Sequence, residues 1–246
     1  MFPIRDHNPS ERTPFVTWGL IAANLLVFLY GLSLGGNDAA LNGFYLDWAL
    51  FPAAVTLGGE YHGLISHMFL HAGFMHLAGN MLFLWIFGDN LEDQMGHAGF
   101  LAFYLAAGLG AAFAQIIPDP QSTIPMVGAS GAIAGVMGGY LLLFPRARVD
   151  VLLIFIVFFR VIPVPAFLML GLWFAFQVFG GLGTPTESGG VAYWAHAGGF
   201  AAGLVLTLPF WLRRGARRYW QANRGHPPHP GAVYAPSTFP TIRRRK

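Results

Sequence analysis

Along the chain, long apolar runs alternate with short segments rich in Gly, Pro, Asn and Asp. The runs fall at residues 15–34, 64–91, 100–117, 127–144, 167–179 and 191–212. A bilayer core about 30 Å thick needs about 20 apolar residues of helix, and Gly and Pro mark the breaks between such helices. The pattern therefore predicts an all-α membrane bundle of six transmembrane helices, the fourth of them short. A further apolar piece, 151–159, is followed by Arg160, Pro163 and Pro165. It is expected to be an interfacial lead-in to span five rather than a seventh helix. The first run lacks a small-residue cleavage site and reads as a retained span, not a signal peptide.

Composition points the same way: 55% of residues are hydrophobic and 10% charged, against about a quarter charged in ordinary soluble domains. Three regions are expected: a segment 1–14, a membrane domain 15–212 and a basic, Pro-rich tail 213–246, of which 226–240 is expected to be disordered. The chain has no cysteine, which excludes disulfides, thiolate metal sites and a cysteine nucleophile.

The charges also fix a topology. Arg5 and Arg12 precede span one, Arg146, Arg148 and Arg160 lie between spans four and five, and the other Arg residues and Lys246 follow span six. The loops on the opposite side carry Asp38, Asp47, Glu60, Asp119 and Glu187 and no Lys or Arg. By the positive-inside rule both termini are cytoplasmic, and a cell-membrane address is expected. This arrangement accounts for the pI near 9.4 without a nucleic-acid partner; the lipid bilayer is the partner implied.

Polar residues inside spans are costly and become functional candidates. Span two carries His67, His71, His76 and Asn80, span four opens with Gly128-Ala129-Ser130-Gly131, and span six opens with Ala195-His196. All three spans enter from the outer side, so these groups share one depth. From Ser130 to Phe144 the helix reaches only about 21 Å at 1.5 Å per residue, which places Ser130 below the outer surface. The Pro118, Pro120 and Pro125 segment before it must descend as irregular backbone, tolerated there only against protein or a wet cavity. Gly131 and Gly135 on span four, and Gly199 and Gly203 on the His196 face of span six, let the two backbones approach. That approach is what a serine nucleophile and a histidine base need. With no acid in a span to orient His196, a Ser–His dyad is expected. His76 and Asn80, on one helix face, and the Ser130 amide at a helix N-terminus are candidate oxyanion donors.

The sequence His71 to Asn80 (HAGFMHLAGN), then Gly128-Ala129-Ser130-Gly131, then Ala195-His196 with Gly199 and Gly203, resembles the rhomboid family of intramembrane serine proteases across the membrane portion. The resemblance implies an endopeptidase that cleaves transmembrane segments through a Ser130–His196 dyad, with oxyanion contacts from His76, Asn80 and Ser130, transmembrane proteins as substrates and no metal or nucleotide cofactor. Two departures stand out. His62-Gly63 occupies the place of a common Trp-Arg pair. Ala134 occupies that of a tyrosine packed against the base in some members, so another side chain should orient His196.

Blander readings stand beside these. Ser130 could be a packing residue, His196 a capping group, and His76 and Asn80 interhelical glue. The pair His67 and His71 could hold a metal, but no H-E-x-x-H motif accompanies it; support of the external loop or hydrogen bonding to span backbones is the expected role. A catalytically silent rhomboid-like binder of transmembrane helices is the alternative to a protease. A transporter would need charged groups deep in its spans or repeated halves, and neither is seen. The sequence sets no oligomeric state.

Overall fold

In a computed structural model, residues 2–155, 158–184 and 190–226 are described. The expectation for 227–240 and the outer-loop acid Glu187 lie outside them. Helices α1 (Phe15–Ser33), α5 (His97–Ile116), α7 (Ala166–Gly183) and α8 (Tyr193–Arg213) are each long and apolar enough to cross a bilayer. Helix α4 (Phe74–Met95) does so together with the bent segment before it, and α6 (Ser130–Leu143) is the short helix expected at span four. At 14 residues, α6 extends about 21 Å. It lies in the middle, against α4, α5, α7 and α8.

The second apolar run is not one helix. A short α3 (Gly63–Ser66) continues into a 3-10 turn (His67–Phe69), breaks, and restarts as α4 at an angle of 94°. His67 therefore sits in the turn and His71 in the break, rather than on the helix face that carries His76 and Asn80. The cause is local: the His67 ring donates from Nδ1 to the Gly63 carbonyl at 2.8 Å, and the chain is extended at Leu70 and Gly73. Between α1 and α3 lies a further helix, α2 (Asp38–Trp48), none of whose residues is buried.

The end of the bundle opposite the Ser130 end carries a feature absent from the hydropathy pattern. Strands β1 (Phe2–Asp6), β2 (Arg148–Phe155) and β3 (Phe158–Pro165) form an antiparallel sheet in that order. The expected interfacial lead-in at 151–159 is thus two strands of a hairpin. Asp150 receives hydrogen bonds from Arg5 Nε at 2.6 Å and His7 Nε2 at 2.8 Å. Burial opposes the charge of this carboxyl, but those two donors outweigh it and hold the group below its ordinary range. Asp6 accepts from the fully buried Tyr140 hydroxyl at 2.9 Å and from Asn90 at 3.0 Å. Desolvation, reinforced by the neighbouring Asp89 carboxylate, pushes Asp6 up to about 7.

Two further devices close this end. The buried Glu92 carboxylate accepts from the Val16 and Thr17 amides at 2.9 and 2.8 Å. It thereby satisfies amides at the start of α1 that have no partner within the helix. Helix α9 (Arg217–Asn223) folds back so that Trp220 Nε1 donates to the Leu142 carbonyl at 2.9 Å. The basic segment after span six is therefore docked at its beginning.

Candidate active site

Ser130 is the first residue of α6, His196 lies in the first turn of α8, and His76 lies in the first turn of α4 with Asn80 one turn on. All four line one cavity of about 480 Å³, with Phe83, Met137 and Trp173 among its apolar walls. His196 Nε2 is 2.7 Å from Ser130 Oγ. This is within reach of a proton transfer between hydroxyl and imidazole.

What makes that distance possible is the α6–α8 interface. A Cβ at Gly199 would collide with the Gly131 carbonyl, and one at Gly203 with the Gly135 carbonyl. Gly131 and Gly135 in turn receive the Ala111 and Ala107 side chains of α5. This close approach of the backbones brings Ser130, one residue before Gly131, within hydrogen-bond reach of His196, three residues before Gly199. Gly128 has a separate reason to be glycine: its φ is +127°, and a Cβ there would lie 2.8 Å from the His76 ring.

The descending segment that ends at Ser130 is held by the loop between α1 and α4. Leu50 and Met126 exchange backbone hydrogen bonds of 3.0 and 2.8 Å, Ala53 donates to the Ser122 carbonyl, and Gly128 donates to the His67 carbonyl at 2.9 Å. Irregular backbone at membrane depth needs such internal partners. His67 thus anchors the approach to Ser130 through its main chain. His71 accepts from Asn80 Nδ2 at 2.8 Å, and its ring lies edge-on to His76 with centroids 5.0 Å apart. In the departure at 62–63, His62 Nε2 donates to the Asp47 carbonyl at 2.6 Å. Gly63 passes so near Ala49 that a Cβ would stand 2.9 Å from its carbonyl oxygen.

Two glutamines near the base were not among the sequence candidates. Gln177 of α7 lies with its Oε1 2.9 Å from His196 Nδ1. Gln115 of α5 accepts from the Ala195 amide at 3.1 Å, in the first turn of α8. Each interrupts an otherwise apolar span, the signal that an uncharged polar residue in a membrane helix has a partner. Trp173, one turn before Gln177, covers the imidazole with ring centroids 5.9 Å apart and a 35° tilt, in the region where the sequence offers only Ala134 on α6.

A search of protein families matches residues 58–213 to the rhomboid domain. The chain belongs to the rhomboid family. Its relatives include the mitochondrial Rhomboid protein 1 of Saccharomyces cerevisiae, 34% identical over 205 residues, covering 78% of this chain and 55% of the relative. RHOMBOID-like protein 5 of Arabidopsis thaliana is 41% identical over 169 residues, 56% of this chain and 55% of that protein. Rhomboid protease GluP of Bacillus subtilis is 34% identical over 128 residues, 52% of this chain and 24% of its own length. The chain spans about half the length of the first two relatives and less of the third. Membership places the rhomboid domain from the loop between α2 and α3 to the end of α8, enclosing every polar group of the cavity, and it establishes an integral membrane protein. Four relatives carry mitochondrial names, so the expected cell-membrane address finds no support.

Proposed function

We propose that this rhomboid is an intramembrane serine endopeptidase that cleaves transmembrane segments of other proteins. The observation that carries the reading is the 2.7 Å contact between His196 Nε2 and Ser130 Oγ at the start of a central helix shorter than the spans around it.

In this mechanism Ser130 Oγ passes its proton to His196 Nε2 and attacks the scissile carbonyl. The resulting oxyanion is held by side-chain donors of His76 and Asn80 and by the Ser130 amide, which lies at a helix N-terminus where amides lack intrahelical partners. His196 then gives the proton to the leaving amine, the C–N bond breaks and an acyl-enzyme remains. Water enters, His196 takes one of its protons as the oxygen adds to the acyl carbon, and the bond from that carbon to Ser130 Oγ then breaks while His196 returns the proton to Oγ, releasing the acid. The apolar walls accommodate a segment drawn from lipid. A substrate helix must unwind before its backbone reaches Ser130, so Gly, Ser or Pro near the cut favours cleavage. The described end segments β1 and α9 both meet the end of α6 opposite Ser130, which the positive-inside rule would make the cytoplasmic side.

The test is cleavage of a single-span reporter by the purified chain in liposomes, with Ser130→Ala and His196→Ala alongside, and fluorophosphonate labelling in parallel. Cleavage and labelling by the unaltered chain alone are expected. Cleavage persisting in Ser130→Ala overturns the nucleophile assignment. Neither cleavage nor labelling across several helix-destabilised reporters moves the assignment to a silent binder of transmembrane helices.

A further inference from the structure

Helix α7 runs against α8 in a register set by rings over glycines. A Cβ at Gly180 would meet the Tyr193 ring at 2.5 Å, and one at Gly181 the Trp194 ring at 3.0 Å. Further along, Phe174 stacks on Phe200 with centroids 4.7 Å apart. Between these contacts Gln177 faces His196. It is one of only four buried residues described on α7, with Ala166, Leu170 and Gly181. The buried polar residue of a largely outward-facing helix is thus aimed at the imidazole.

The orientation of its amide follows from its second contact. Gln177 Nε2 lies 3.4 Å from the Trp173 carbonyl, and only the nitrogen end donates to a carbonyl. The oxygen end therefore faces His196 Nδ1 at 2.9 Å. An amide oxygen only accepts, so Nδ1 must carry the ring proton and Nε2 must present its lone pair to Ser130 Oγ. With the amide reversed, Nδ1 would accept, Nε2 would carry the proton, and the imidazole would have no lone pair for the serine. The described charged residues supply no partner for Nδ1, since no acid lies among the groups bonded to His196.

We propose that Gln177 is the positioning residue of the dyad: it fixes the tautomer and the ring plane of His196, and it does so only while α7 is seated on α8. The proposal rests on the hydrolase reading of the same site. A neutral amide performs the orienting part of a triad acid's task without placing a charge at membrane depth, where a charge is costly. It leaves the imidazolium formed during attack without a counter-charge, so its contribution is direction rather than charge stabilisation. Because the amide comes from α7 while Ser130 and His196 come from α6 and α8, displacement of α7 by an entering segment would also release the base from its fixed tautomer.

The test uses the full chain labelled with 15N-histidine in nanodiscs, the His196 signals being assigned by their loss in His196→Ala. The unaltered chain should show the Nδ1–H tautomer. Gln177→Leu should show mixed tautomers, with kcat for a single-span reporter lowered about 10- to 100-fold, the scale of a misplaced catalytic group, and KM within about twofold. Gln177→Glu, of nearly the same shape, should keep the Nδ1–H tautomer, exceed Gln177→Leu in kcat, and move the acid limb of the pH–rate profile to higher pH. An unchanged tautomer and unchanged kcat in Gln177→Leu overturn the proposal. So does an unmoved acid limb in a folded, active Gln177→Glu. If no reporter is cut but the tautomer still changes in Gln177→Leu, the positioning role stands and the hydrolase reading falls.

Discussion

Helix α8 has two neighbours that it meets in opposite ways. Against α6 it is backbone on backbone: Gly199 and Gly203 rest on the carbonyls of Gly131 and Gly135, and almost every residue of α6 is buried. Against α7 it is side chain on glycine, with Tyr193 and Trp194 over Gly180 and Gly181, while Phe167, Leu172, Phe176 and Phe179 of α7 face outward. Interfaces of small residues admit one spacing, because no side chain can relax. Interfaces of rings over glycine set a register through side chains rather than through backbone. The first kind fixes the distance from Ser130 to His196. The second holds Gln177 and Trp173 beside the His196 ring and supplies part of the cavity wall.

The largest effect should come from breaking the rigid interface. Gly203→Val puts a branched side chain into the Gly135 carbonyl and should lower stability by about 3 kcal/mol or more, read as loss of the monodisperse fraction in detergent and a lowered Tm. A wild-type Tm for this variant would mean that α6 and α8 are not locked. Next is Gly128→Ala, which forces a Cβ against His76 at a positive φ and should slow fluorophosphonate labelling of Ser130 about 100-fold with a much smaller change in Tm. Labelling at the original rate would show that His76 yields as freely as α7.

At the basic end the contrast can be sharpened with pH. Asp6 has a folded-state pKa of about 7, above its ordinary 3.8, so between these values the folded chain holds a proton that the unfolded chain releases. Its stabilisation is full below about pH 4 and is lost as pH rises through about 7. Protection of the β1 amides, measured relative to their intrinsic exchange at each pH, should fall across that window, and Asp6→Asn, neutral throughout, should flatten the fall. The smallest effect belongs to the outward face of α7: Phe179→Leu should change stability by no more than about 0.5 kcal/mol, read as a nearly unmoved Tm. A larger loss would show that α7 is held by more than its inner stripe.

The spans were legible because lipid leaves no alternative: an unsatisfied backbone group in hydrocarbon costs several kcal/mol, so each crossing must be an apolar helix of nearly fixed length. The sheet was not, since a run such as Val151–Phe159 is apolar whether it pairs as a strand or lies at an interface, and Phe2–Asp6 pairs only with residues remote in sequence. The break at Leu70–Gly73 was also hidden, because hydropathy does not register a 94° bend. Ser130, His196, His76 and Asn80 were legible as polar residues at one depth, and the structure brings them to one cavity. Gln177 and Gln115 were overlooked because each stands alone in an apolar run, where a motif offers nothing to match and only the partner across the interface reveals the purpose.

The pairing of β1 with β2 bears on how the chain is made. Arg5 and Asp150 are 145 positions apart, so β1 leaves the ribosome long before β2 and has no β2 to pair with until spans one to four have been made. Loop closure over that distance costs little more than over half of it, since the entropy grows only as the logarithm of length, but contacts so remote form slowly. Sheet closure should therefore be a late event of biogenesis, and a bulky fusion ahead of Phe2 should delay the last step of assembly while leaving insertion of the helices at its normal pace.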